Sequence, residues 1–172
     1  MAILPLQMQA LYRKLRTMQR LALTLLALLL AACATPSHSP ERASGGDTNE
    51  VALYAMSLAD TPYRYGGNSA ENGFDCSGFV QHVYLNTLGM KLPRTSHEMS
   101  QVGVNLETGQ LRPGDLVFFN TRKKPFSHVG IYVGEERFVH SPSSGRAIMV
   151  TSMREDYWRS RYNGARRVTS AN

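Results

Sequence analysis

The chain has 172 residues, 42% hydrophobic and 19% charged, with a formal net charge of +6. That length suits one domain with a real core and hardly two. Arg13, Lys14, Arg16 and Arg20 precede Cys33 with no acidic residue among them, which leaves 15 basic and 13 acidic residues, net +2, in the remainder. The basic balance therefore gives no support to nucleic-acid binding.

The stretch Leu21 to Ala32 is almost wholly aliphatic and runs into Leu30-Ala31-Ala32-Cys33. At about a dozen residues it falls short of the roughly 20 that span a bilayer. With its basic flank it predicts an export signal over residues 1–32, with Met18 as able a start as Met1. Small residues followed by Cys33 resemble the lipobox of bacterial lipoproteins, which implies cleavage before Cys33 and acylation of its thiol and new amino terminus. Residues 33–48 are then a lipidated terminus and a tether, rich in Pro, Ser, Gly and Thr. Stretched out, the tether reaches on the order of 50 Å.

The globular domain is expected over residues 49–172. Val51, Leu53, Tyr54 and Leu58 are spaced for a first helix, Glu50 to Leu58, closed by Pro62 and Gly66-Gly67. A second helix is predicted from Cys76 to Leu88, capped by Asp75 and ended by Gly89, with Val80, Val83, Tyr84, Thr87 and Leu88 on one face. A short third helix is predicted over Ser96 to Gln101. The period then changes. Leu116 to Phe119, His128 to Val133, Arg137 to His140, Ala147 to Thr151 and Ala165 to Val168 read as strands, with a helical turn at Glu155 to Arg159. Helices first and strands later predict an α+β fold with an antiparallel sheet.

Cys76 is the feature that points to chemistry. If Cys33 carries lipid, Cys76 has no disulfide partner, and a free thiol in an oxidising compartment needs a reason. A position on the first turn of a helix favours the thiolate, whereas the Asp75 charge opposes it, so a histidine partner is required. His128 and His140 stand in strand-like strings, and the spacing allows a test. A three-residue loop, Gly134-Glu135-Glu136, would pair Val133 with Arg137 and Gly130 with His140. The two imidazoles would then share a sheet face on a diagonal. A two-residue loop would put them on opposite faces. In the favourable register His128 serves as general base and acid, and His140 orients it. Each residue alone has a plainer explanation: a buried lone cysteine is usually a small hydrophobe, and a lone strand histidine is usually structural.

Taken in order, Tyr63-Arg64-Tyr65-Gly66-Gly67, Asp75-Cys76-Ser77-Gly78-Phe79-Val80, Leu92-Pro93-Arg94-Thr95-Ser96, Pro113-Gly114-Asp115-Leu116-Val117, His128-Val129-Gly130-Ile131-Tyr132 and Phe138-Val139-His140 resemble the NlpC family of papain-like cell-wall cysteine peptidases, in particular its small Spr/MepS-type lipoproteins. The likeness runs on through Tyr157-Trp158 and Ala165 to Val168. It implies N-terminal helices packed on a five- to six-stranded antiparallel sheet, and a Cys76–His128–His140 triad. It also implies that Tyr63 joins the Cys76 backbone N–H in an oxyanion hole. Asp75 and Ser77 line the substrate groove in some relatives; here Asp75 equally serves as a helix cap. Arg94 and Ser96 fall in a segment near that groove.

The resemblance further implies a peptidoglycan endopeptidase acting on stem-peptide crosslinks, at the D-alanyl–meso-diaminopimelate bond or at the γ-D-glutamyl–diaminopimelate bond. No cofactor or metal is called for. The expected setting is the periplasmic face of the outer membrane, held by lipid, as a monomer, with a regulatory protease or adaptor restraining it. Three rivals use the same residues: a non-catalytic peptidoglycan-binding scaffold, an acyl or amide transferase on the same fold, and zinc ligation by Cys76, His128 and His140.

Overall fold

The computed structural model describes Lys14, residues 16–20, 48–143 and 145–169. Lys14 and residues 16–20 are helical and exposed, while the rest of the expected signal, the expected acylation site at Cys33 and nearly all of the expected tether lie outside the described residues. Among the described residues no helix is long and apolar enough to cross a membrane.

Helix α1 spans Thr48–Ser57 and buries Val51, Ala52 and Ala55. Leu53, expected on the buried face, is 64% exposed. The helical period explains the difference: positions 51, 52 and 55 share a stripe, and 53 lies round the far side from 51. Two short strands, β1 (Asn68–Ser69) and β2 (Gly73–Phe74), follow it in the chain and pair with each other. Helix α2 spans Cys76–Leu88, as expected, with Gly89 at φ +66° closing it in the left-handed conformation. Its buried face is Phe79, Val80, Val83 and Tyr84. Helix α3, Ser96–Met99, starts at a Thr95–Glu98 capping box.

The strands β3 (Val104–Leu106), β4 (Leu116–Phe119), β5 (His128–Gly134), β6 (Arg137–His140), β7 (Met149–Ser152) and β8 (Tyr162–Arg167) form one six-stranded antiparallel sheet, ordered β3-β8-β4-β5-β6-β7. A 3-10 turn, Thr108–Gln110, follows β3, and helix α4, Asp156–Arg159, precedes β8. The α+β architecture is the one expected. β8 starts three residues earlier than expected, because Tyr162 and Gly164 pair with Phe119 and Phe118 across a register shift.

Alternation divides the sheet into two faces. Leu116, Phe118, Val129, Ile131 and Val139 point toward α1 and α2 and pack with Phe79, Val80 and Val83. Val117, Phe119, Tyr132, Phe138 and Ala165 line the other face with Trp158 of α4. Each large side chain buried this way contributes roughly 1.5–3 kcal/mol. The turn before β4 is pinned from three sides. Tyr84 Oη donates to the Gly114 carbonyl at 2.6 Å, and the buried Asp115 carboxylate accepts from the Arg112 N–H at 2.7 Å and from Arg167 Nε and Nη2 at 2.8 and 2.7 Å.

The β5–β6 hairpin corrects the expected loop. Gly134 pairs with Arg137, so the turn has two residues, Glu135 and Glu136, both at φ +52°. A two-residue turn alone would have separated the histidines. A register shift between Tyr132 and Gly134 leaves Val133 as an extra residue on β5. Beyond it Tyr132 pairs with Phe138 and Ile131 with Val139, the pairing that a three-residue loop would have given. The bulge therefore does what the loop was expected to do, and both imidazoles lie on one face.

Candidate active site

Cys76 occupies the first turn of α2 because Asp75 starts the helix, its Oδ1 accepting the Gly78 N–H at 2.7 Å. A Cβ at Gly78 would lie 2.1 Å from the Gly67 carbonyl oxygen, so only glycine lets the helix start seat this closely on the preceding loop. The Cys76 side chain is partly exposed. The backbone N–H groups of Ser77 and Val129, the second being the residue after His128, lie close enough to favour its thiolate. Burial first, and the Asp75 charge second, raise the thiol above its ordinary range.

His128 opens β5 and His140 closes β6. His128 Nε2 lies 2.9 Å from His140 Nδ1, and His140 Nε2 lies 3.1 Å from Thr151 Oγ1 on β7. All three residues are buried. Gly130 sits one step beyond the Ile131–Val139 pair, opposite His140; a Cβ there would meet Phe138 Cδ2 at 2.6 Å and His140 Cβ at 3.2 Å. Its bare Cα leaves room for the Phe138 ring and the Val139 carbonyl, and so lets β6 seat against β5 at His140. Trp158 packs against both imidazoles, with ring centroids 5.5 Å from His128 and 4.8 Å from His140. This aromatic enclosure holds both rings below the ordinary histidine pKa, chiefly by burial. The Arg122 charge adds to the effect at His128, and the charges of His128 and Arg146 add to it at His140.

Tyr63 bridges to Phe74 and shares a cavity of about 380 Å³ with Cys76, Asp75, Ser77, Arg94 and Arg122. Ser141, next to His140, donates to the Phe74 carbonyl at 2.8 Å and so ties the Tyr63 loop to the histidine strand. Burial raises the Tyr63 phenol, and the Arg122 guanidinium opposes that shift.

Asp75 is engaged by the fold. Besides capping α2 it accepts the Gly66 N–H at 3.1 Å, Ser77 Oγ at 3.3 Å, and both Arg94 nitrogens at 3.0 and 2.7 Å. Burial raises its pKa, but the Arg94 and Gly78 hydrogen bonds outweigh that and hold it below the usual carboxylate range. Arg94 Nη1 also donates to Ser77 Oγ at 2.9 Å, so Asp75, Ser77 and Arg94 are one network on the cavity wall. Ser96 lines the same cavity, but its hydroxyl donates to the Phe126 carbonyl at 2.7 Å.

Sequence reasoning missed three residues. In the sequence Thr151 is a strand position and nothing more, and its contact with His140 depends on the β6–β7 pairing. Arg122 lies in the basic run Arg122-Lys123-Lys124, which could have flagged it. Arg146 had no local signal. Among the described residues no three His, Cys, Asp or Glu side chains gather as metal ligands.

Two adjoining cavities that share Ser143 thus carry the groups acyl transfer needs: a thiol at a helix start and a phenol in one, a hydrogen-bonded imidazole pair in the other. The family described as NlpC/P60 matches residues 60–167. Among curated proteins, the chain is 46% identical over 116 residues to the murein DD-endopeptidase MepH of Escherichia coli, covering 66% of this chain and 43% of that protein. It is 45% identical over 108 residues to the murein DD-endopeptidase MepS/murein LD-carboxypeptidase of the same organism, covering 63% and 56%. The chain thus spans about half the length of these relatives. Among solved structures, an NlpC/P60 family protein from Bacillus cereus superposes with a TM-score of 0.64 at 32% identity, covering 70% of this chain and 39% of that one.

Proposed function

This chain belongs to the NlpC/P60 family, and from that premise we propose that it is a cysteine endopeptidase of peptidoglycan, hydrolysing stem-peptide crosslinks at the D-alanyl–diaminopimelate bond. The observations that carry the proposal are the Cys76 thiol on the first turn of α2 and the hydrogen-bonded chain His128–His140–Thr151, whose strand continues into Val129 beside the thiol.

One arrangement of protons satisfies that chain and leaves a base. His128 Nε2–H donates to His140 Nδ1, and His140 Nε2–H donates to Thr151 Oγ1. His128 Nδ1 is then unprotonated and free for the thiol. The sulfur attacks the peptide carbonyl as its proton passes to His128 Nδ1. The oxyanion receives hydrogen bonds from the Cys76 N–H and the Tyr63 hydroxyl. His128 then protonates the departing nitrogen, and the C–N bond breaks to leave a thioester. Water, losing a proton to His128, attacks the thioester, frees the acid and restores the thiol.

The resting site holds a neutral thiol and a neutral imidazole, because burial disfavours both charges. The pH profile follows from the directions of the shifts. With the His128 pKa lowered, neutral imidazole persists below the ordinary value of about 6.5. With the Cys76 pKa raised, the thiol proton is kept past about pH 8.5. The expected kcat/KM profile has an acid limb below pH 6.5 and a basic limb above 8.5, measured on a soluble muropeptide dimer. An acid limb above pH 6.5 would contradict the neutral pair.

The proposed setting is the outer membrane, with Cys33 acylated and the chain facing the periplasm. The basic flank, the aliphatic stretch and the Cys33 context support this. Fractionated envelopes test it: wild type is expected with the membranes and Cys33→Ala in the soluble fraction. Equal membrane retention of both would refute acylation as the anchor.

Digestion of purified sacculi tests the activity itself. Conversion of crosslinked dimers to monomers is the expected result. Sacculus binding with an unchanged muropeptide profile would instead favour a scaffold.

A further inference from the structure

A second cavity, about 580 Å³, lies on the histidine side of the site and is lined in part by Thr121, His128, His140, Arg146, Glu155 and Tyr157. Its size falls in the range of ligand sites, roughly 300–1,000 Å³. Cys76 and Tyr63 line the other cavity and not this one. We propose that this second cavity receives the amine half of the cleaved bond, and that Arg146 there pairs with a free carboxylate next to the scissile nitrogen. The assignment rests on the peptidase function proposed above and adds to it the chemistry of the leaving group.

The polarity of the reaction assigns the halves. The acyl carbon becomes bonded to sulfur, so the acyl half must lie with Cys76 and Tyr63. The departing nitrogen takes its proton from His128, so it and its substituents must lie on the histidine side.

The charges of the cavity then name the group. Arg146 and Glu155 are exposed and of opposite sign, and among the described residues neither makes an ion pair. The Arg146 charge is felt at His140, which places it close to the reacting centre. The amine half of a D-alanyl–diaminopimelate crosslink carries a carboxylate on the carbon that bears the scissile nitrogen. That nitrogen becomes an ammonium group once released. One guanidinium and one carboxylate on the wall match an amino-acid centre of this kind, and a guanidinium suits two-point pairing with a carboxylate. Tyr157, 48% exposed and with Arg161 stacked 4.0 Å over one ring face, leaves its remaining apolar edge to the aliphatic chain between the two centres of diaminopimelate.

Steady-state kinetics on two muropeptide dimers, differing only in whether that carboxylate is free or a carboxamide, test the proposal. Wild type is expected to favour the carboxylate dimer by about tenfold or more in kcat/KM, the size of one charged hydrogen bond. Arg146→Gln is expected to lose about 10- to 100-fold on the carboxylate dimer and to stay within about twofold on the carboxamide dimer. Arg146→Lys should keep part of the preference. An Arg146→Gln enzyme that cuts both dimers as wild type does, or loses equally on both, overturns the assignment. A wild type that cuts neither dimer overturns the peptidase reading and this subsite with it, a result distinct from intact activity without carboxylate preference.

Discussion

Cys76→Ala is expected to lower crosslink hydrolysis by roughly four to six orders of magnitude, as loss of a triad nucleophile does elsewhere. The fold should be left intact. No other described thiol exists, and the hydroxyl that the imidazole pair does touch, Thr151 Oγ1, is buried behind His140 on the side away from His128. The side chain is partly exposed, so its loss costs on the order of 1 kcal/mol of stability. Tyr63→Phe gives the contrast. It removes one of the two proposed oxyanion donors and should lower kcat by about 10²- to 10³-fold with little change in KM. Rates within tenfold of wild type for Cys76→Ala, with a normal thermal midpoint, would sink the mechanism.

Asp115→Ala is expected to be the most destabilising single change, at about 3–5 kcal/mol, the size seen when one partner of a buried ion pair is removed. Asp115 is 1% exposed and satisfies two Arg167 nitrogens and the Arg112 amide. Without it the guanidinium keeps its partly buried place and loses its counter-charge, and the turn into β4 loses its anchor. For a domain of this size the thermal midpoint should fall by roughly 10–20 °C. Asp156→Ala is the control. Its pair with Arg159 is solvent-exposed and contributes about 0–1 kcal/mol. A loss below about 1 kcal/mol at Asp115 would show that the bidentate pair is not what holds the turn.

Strong local patterns carried much of the fold into the sequence. Asp75 before an apolar run and Gly89 after it bounded α2 correctly, because both ends are set by backbone chemistry within a few residues. Leu116 to Phe119 and Arg137 to His140 were recognisable because buried strands are short and apolar between turn residues. β3 was not, since two of its three residues are exposed and only pairing with β8 makes it a strand.

The hairpin is the instructive case. The facing of His128 and His140 was foreseen through a loop of three residues, whereas the chain reaches it through a two-residue turn and a bulge at Val133. Nothing local distinguishes the two routes, because both absorb one residue between Tyr132 and Arg137. The same limit explains Thr151, Arg122 and Arg146. Their roles come from neighbours that only the assembled sheet and its loops provide. Asp75 shows the reverse, a residue with two readings in the sequence whose carboxylate the structure engages in helix capping and in the Arg94 pair.

The most direct test of the central claim is an acid-quenched reaction with a crosslinked muropeptide dimer, read by mass spectrometry of the protein and its peptides. The mechanism predicts an added mass equal to the acyl half of the dimer, carried on the peptide that contains Cys76 and absent from Cys76→Ala. An adduct on another residue, or dimer cleavage that persists in Cys76→Ala, would contradict it.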